Sequence, residues 1–322
     1  MRPNAKFLLT IALTAALAAV CGAPRAQSMP FKLVRVILSS PGGGTDIVAR
    51  LVAENMARSL GVQFVVESRQ PSIAAAAYVA HAAADGSVLL VSTGSYLLNA
   101  LLRKTPYDPL HDFAPVSLLG TTPIIIVVHP ALPVASLQDL VALARRRPGE
   151  LTFGSGGIGS PIHLAGELLK QSARVNILHV PFKGTAHAAT DLMAGRIELL
   201  FSSILSVQSQ IQSGRVKVLA IMSEKRSPEL PAVPTTGEAG LPGLTATIWY
   251  SMVAPANTPS ALVERFSHEA SAALHGPVVA ERLRNAGVEA IGSSPKQHAA
   301  FVAREAVKWK KVITEAHIDP GG

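Results

Sequence analysis

Short β-branched runs alternate along this chain with longer stretches whose apolar residues recur every three to four positions. "LVRVILSS", "VQFVVES" and "SVLLVSTG" read as strands, and the segments between and beside them, Thr45–Leu60 and "AAAAYVAHAAA", read as helices. A second series begins after "TTPIIIVVHPALP". Its helices are "SLQDLVALARRRP", "PIHLAGELLKQSA", "AHAATDLMAG" and "VQSQIQSG"; its strands are "ELTFGSG", "NILHVPFKG", "RIELLFSS" and "RVKVLAIMS". Such alternation predicts sheets covered by helices, most simply as two α/β lobes. After the Pro-rich stretch "RSPELPAVPTTGEAGLPGL" come "TIWYSMVAP" and three helical patterns, which read as a return to the first lobe. The chain is then expected to cross between lobes twice, near Pro123 and near Leu244–Tyr250. No longer repeat is detectable.

The chain has 322 residues, 48% hydrophobic and 16% charged, enough to bury the cores of about two domains. Its first residues pair Arg2 and Lys6 with an apolar stretch from Phe7 to Val20 and then small residues, the pattern of a secretory signal peptide ending at Ala26. The apolar stretch is shorter than the roughly 20 residues that span a bilayer. Cys21 is the only cysteine and lies in this leader, so the mature chain is expected to have neither disulfide nor thiolate chemistry. Arg2, Lys6 and Arg25 also lie there, with no acid; the formal charge of +8 less these three leaves +5. That excess suits anionic small molecules. With 5% aromatic residues and no basic run longer than that in "ARRRPG", nucleic acid is not expected as a partner.

The two series carry related turns: "VRVILSSPGGGTD" and "LTFGSGGIGSPIHLAG" both run strand, glycine turn, helix. In open parallel sheets ligands gather at the carboxyl ends of strands, where the bare N–H groups of helix first turns hold anions. Two such ends facing one cleft would grip an anion from both sides; the alternative is that the glycines only make tight turns. Gly154, Gly156 and Gly159 also spell G-x-G-x-x-G, but the acid that would receive a ribose about 20 residues later is missing. A dehydrogenase is therefore not expected. No H-E-x-x-H, C-x-x-C or G-x-S-x-G motif is present, and neither a catalytic residue, a metal nor a cofactor is expected. His163 and His179 flank the second turn's helix as ligand contacts or as structural residues. Asp46 suits the dipole of its helix, and Lys183 either meets an anion or solvates a loop.

From about Val34 onward the chain resembles the periplasmic substrate-binding proteins of tripartite tricarboxylate transporters, the Bug family. The resemblance rests on "PGGGTDIVARLVAENM", "DGSVLLVSTGS", "PYDPLHDFAPVSLL", "HVPFKGTAHAATDLMAGRIELLF", "SEKRSPELPAVPTTGEAGLPG" and "WYSMVAPANTP". It implies a two-lobed, type II Venus flytrap, each lobe a mostly parallel sheet flanked by helices, that closes on a small carboxylate without turnover. The leader would be residues 1–26, the first lobe 27–122 and 249–322, the second 123–248. Carried over by position, the first lobe's contacts would be Pro41, Gly42, Gly43, Thr45 and Asp46, with Thr93, Gly94 and Ser95. The second would contribute Ser155, Gly156, Gly157, Ser160 and His163, with Lys183, Gly184 and Ser202.

Three departures from the family pattern bear on specificity. Ser39 stands where an aromatic is usual, Ser72 and Ile73 occupy a loop normally built of glycine, and Ser202 replaces an acid. A serine offers an ammonium group no charge partner, which turns the expectation from amino acids towards a mono- or dicarboxylate. The implied setting is a periplasmic monomer that delivers its ligand to a membrane permease of the tripartite type. The alternatives are a sensor that presents its closed form to a histidine-kinase ectodomain, and an exported α/β enzyme.

Overall fold

Val34, Val36, Ile37 and Leu38 are fully buried, and the strand they form, β1 (Leu33–Leu38), lies in parallel between β2 (Gln63–Ser68) and β3 (Val88–Ser92). A strand covered on both faces needs apolar residues in succession rather than in alternation, which is why this run reads as continuous. The computed structural model describes residues 31–39, 43–315 and 318; the leader expected over residues 1–26 and the expected contacts Pro41 and Gly42 lie outside them. Helix α1 (Gly43–Leu60) joins β1 to β2 and buries Val48, Ala49, Val52, Ala53 and Met56 along one face. Helix α2 (Ser72–Ala80) joins β2 to β3, and α3 (Ser95–Leu102) follows β3.

The first sheet is completed by β4 (Phe113–Pro123), β10 (Thr247–Pro255) and β11 (Glu289–Ala290), in the order β11-β4-β10-β3-β1-β2. The second contains β5 (Ile125–Val128), β6 (Thr152–Ser155), β7 (Leu178–Pro181), β8 (Leu199–Ser202) and β9 (Lys217–Ile221), in the order β7-β6-β8-β5-β9. Each sheet is mixed. In the first, β10 runs antiparallel to both β3 and β4; in the second, β5 runs antiparallel to both β8 and β9. The remaining strands share one direction in each sheet, β11 excepted. The reversed strands are the ones the crossings create. Strand β5 enters the second sheet directly from β4, and β10 re-enters the first, so both run against the strands built by helical crossovers.

At the crossing, the Ile124 amide donates to the Ala246 carbonyl (3.1 Å), and the Ala246 amide to that of Met222 (2.9 Å). The Met222 amide in turn donates to the Ile124 carbonyl (2.7 Å). The β4–β10 ladder, paired down to Pro123 and Thr247, thus runs on into the second sheet.

Helices α4 (Leu137–Arg146), α5 (Pro161–Ala173), α6 (Thr185–Met193) and α7 (Ile204–Gln212) accompany the second sheet. Helix α4 opens with a capping box between Ser136 and Asp139, which satisfies backbone donors at both positions. The closing helices are α8 (Ser260–His275), α9 (Pro277–Asn285) and α10 (Pro295–Glu315); α8 and α10 pack on β4. A cluster of Leu98, Leu102, Leu164, Trp309 and Ile318 joins α3, α5 and α10. Among the described residues no helix is long and apolar enough to cross a membrane.

Candidate functional site

The loops after β1, β3, β6, β7 and β8 and the first turns of the helices that follow converge on one cavity of about 600 Å³. This is where an open α/β sheet offers helix N-termini to a ligand. Of the expected contacts, Thr45, Thr93, Ser95, Gly156, Gly157, Ser160 and Lys183 line it. Gly43 is the first residue of α1, and Pro41 and Gly42 lie outside the described residues. Asp46 is engaged one turn on by Arg50, whose Nε lies 2.9 Å from the Asp46 carboxylate. Gly94, Ser155, His163, Gly184 and Ser202 are not lining residues. Ser202, the last residue of β8, is fully buried with no partner for its Oγ among the described residues, whereas Ser203, the N-cap of α7, lines the cavity.

Behind the first wall stand aromatics of β10. Gly94 holds φ +82°, and a Cβ there would fall on the Trp249 ring; one on Gly44 would collide with the Tyr250 hydroxyl. Both turns therefore require glycine, for conformation and space at Gly94 and for space at Gly44. Tyr250 itself lines the cavity, and burial holds its phenol above the ordinary range.

Behind the second wall stand histidines. The Ser155 Oγ lies 2.6 Å from His179 Nε2 and accepts from the Gly157 amide (3.0 Å). His163 stacks on His179 with centroids 4.1 Å apart, and its Nδ1 accepts from the Gly159 amide (3.3 Å). Burial is the main cause of the depression of His163 to about 3, the neighbouring His179 adding to it, and burial likewise lowers His179 to about 4. Both rings are neutral at pH 7 and serve as hydrogen-bonding struts beneath the glycine turn. Ser155 is fully buried and occupied by the turn, so the Ser155–His179 pair does not offer a nucleophile to the cavity.

No Asp or Glu appears among the lining residues, while two cations do, Arg103 and Lys183. Neither has an ion pair among the described residues. Arg103 follows α3; its Nη2 donates to Asn99 Oδ1 (2.9 Å) and reaches the Ile158 carbonyl on the opposite wall (3.5 Å). Its Nε is buried without an acceptor, as is the hydroxyl of Ser39. Lys183 is exposed, and its carbonyl accepts from Gln70 Nε2 of the other wall (3.2 Å). Among the described residues no group of three His, Cys, Asp or Glu is placed to hold a metal ion.

Sequence reasoning missed Arg103, Asn99, Gln70, Tyr250, Ser203 and Ser206 as wall residues. The available signal for the first two was their spacing: Asn99 and Arg103 stand four apart at the end of an apolar helix, on one face.

Comparison with known proteins agrees with this geometry. The family model described as tripartite tricarboxylate transporter family receptor matches residues 48–318. Protein BugT of Bordetella pertussis is 33% identical over 316 residues, covering 96% of this chain and 97% of BugT. The solved structure of R. palustris Rpa4515 with adipate is 35% identical with a TM-score of 0.86, covering 90% of this chain and 98% of that one. MatC from Rhodopseudomonas palustris with bound malate is 31% identical with a TM-score of 0.83, covering 88% and 99%. With the fold, the cleft and these relatives in agreement, the chain belongs to the tripartite tricarboxylate transporter receptor family of periplasmic solute-binding proteins.

Proposed function

We propose that this protein captures a small mono- or dicarboxylate between its two sheets and delivers it to a membrane permease of the tripartite type, without chemical turnover. The observation that carries the reading is the charge of the wall: two cations without acidic partners and no carboxylate among the lining residues. Such a wall favours an anion and gives the ammonium group of an amino acid no counter-charge. Hydroxyls of Thr45, Ser95 and Ser160 and the amides of the glycine turns supply uncharged donors beside them. The adipate and malate held by the two structural relatives support the same class.

On this reading the protein works as a periplasmic monomer, with residues 1–26 removed on export. Residues 27–122 and 249–322 form one lobe and 123–248 the other. Calorimetry with malate and adipate, set against the diamides of the same acids, tests the reading. Carboxylates should bind, and the diamides should lose at least about tenfold, because a charge-assisted hydrogen bond is worth roughly 1.5–3 kcal/mol. Equal binding of acid and amide, or release of a new product on incubation, would end it.

A further inference from the structure

We infer that Arg103 is the residue that distinguishes a ligand with two anionic ends from a ligand with one, making an aliphatic dicarboxylate the preferred solute. The inference rests on the carboxylate reading above and adds to it a selecting residue. Arg103 is oriented rather than loose. Asn99 Oδ1 accepts from its Nη2, and Asn99 is itself held by the bonds from its Nδ2 to the Ser95 carbonyl (2.8 Å) and the Ser72 hydroxyl (3.2 Å). Both of these contacts use Nη2, and the buried Nε is left without an acceptor among the described residues. A fixed guanidinium with N–H groups to spare and no acid beside it is a carboxylate receptor short of its carboxylate.

Lys183 supplies the second half of the argument. It lies across the cleft, and each cation stands beside a hydrogen bond that ties the two walls together: Gln70 to the Lys183 carbonyl, and Arg103 to that of Ile158. Closure thus sets two positive groups on one cavity that contains no negative side chain. A monoanion compensates one of them and a dianion both, so the closed state gains more from the dianion. The wall between is apolar, with Ile73, Ile158, Ile162, Phe182 and Ile248 lining the cavity, and about 600 Å³ leaves room for several methylenes. Charged ends with a hydrocarbon middle match the chemistry of such a wall.

The test pairs acids of equal chain length: succinate with butyrate, glutarate with pentanoate, adipate with hexanoate, each titrated by calorimetry into wild type, Arg103→Gln and Asn99→Asp. Asn99→Asp keeps the arginine but pairs it internally, so it carries the test if Arg103→Gln does not fold. In wild type at least one diacid should bind on the order of a hundredfold more tightly than its monoacid, the span of one charge-assisted bond. Both variants should bring that ratio to within about fivefold, with the loss confined to the diacid. A wild type that binds the two members of every pair equally, or variants that weaken both members alike, would overturn the inference while leaving the carboxylate reading intact. A wild type that binds no acid of any pair would remove the carboxylate reading itself, and the inference with it.

Discussion

The two glycine turns share the order strand, glycine, helix, yet they are supported by different chemistry. Around the first, Gly44 and Gly94 lie against Tyr250 and Trp249, buried aromatics from a strand more than 150 positions away in the chain. The second is supported from close by: Ser155, Gly157, Gly159, His163 and His179 form one hydrogen-bonded and stacked group. Shape fixes the first wall, and proton occupancy conditions the second. Turns that look alike in sequence can therefore fail for unrelated reasons.

The sharpest way to break this contrast is Gly94→Ala. A left-handed residue costs roughly 1–2 kcal/mol once it carries a Cβ, and overlap with a packed core group costs typically about 1–3 kcal/mol. Urea unfolding should show a loss of about 2–5 kcal/mol with little dependence on pH between 5 and 8. A loss below about 1 kcal/mol would mean that Trp249 does not define the turn.

The next effect belongs to acid. His163 and His179 have folded pKa values of about 3 and about 4, below the 6.5 of an unperturbed imidazole, so the unfolded chain binds protons first. Their contribution to stability is complete above pH 6.5 and drains away as the pH falls from there towards 3. His298, buried against Ser251 and lowered to about 3, drains in the same window from beneath the first sheet, so wild type alone does not separate the walls. His179→Ala separates them. It should cost about 1–3 kcal/mol at pH 7 through the broken bond to Ser155, and it should flatten the acid slope of the melting temperature. An unchanged slope would place the titration under the first sheet instead.

The smallest effect is expected from Lys183→Ala, because an exposed cation is screened by water and salt. Carboxylate affinity should fall by no more than about tenfold, with the loss shrinking as salt rises. A larger loss would show that Lys183 meets the ligand out of reach of water and salt.

Periodicity made the helices and strands legible, and the strand–glycine–helix order pointed to the ends of both sheets where the cavity lies. Partners that meet only through the fold stayed hidden. "TIWYSMVAP" reads as a strand, but nothing local tells that it will insert between β3 and β4 and bring Tyr250 to the cavity. His163 and His179 could be placed near the site singly, not as a stack. Asp46 pairs with Arg50 one turn on, a partnership that its place at a helix start does not announce. Ser202 ends a strand and Ser203 caps the helix after it, and only the place where the strand gives way to the helix decides which of them lines the cavity. Arg103 sits beside Lys104 at a helix end, where sequence offers two interchangeable cations. What separates them is Asn99, which holds the first and not the second.

The paired strands at Ile124 and Ala246 make the connection between the sheets a ribbon two strands wide. Such a ribbon flexes across its thin direction, while sliding one strand past the other would break its ladder. Any opening of the cleft would therefore follow a single cheap coordinate. Grip on a ligand, separation of the rims and exposure of the Leu98–Leu164–Trp309 seam would then all become functions of one angle. For any partner that docked against the rims, that angle would work as a gauge, reporting whether the cavity is filled without the partner ever touching what fills it.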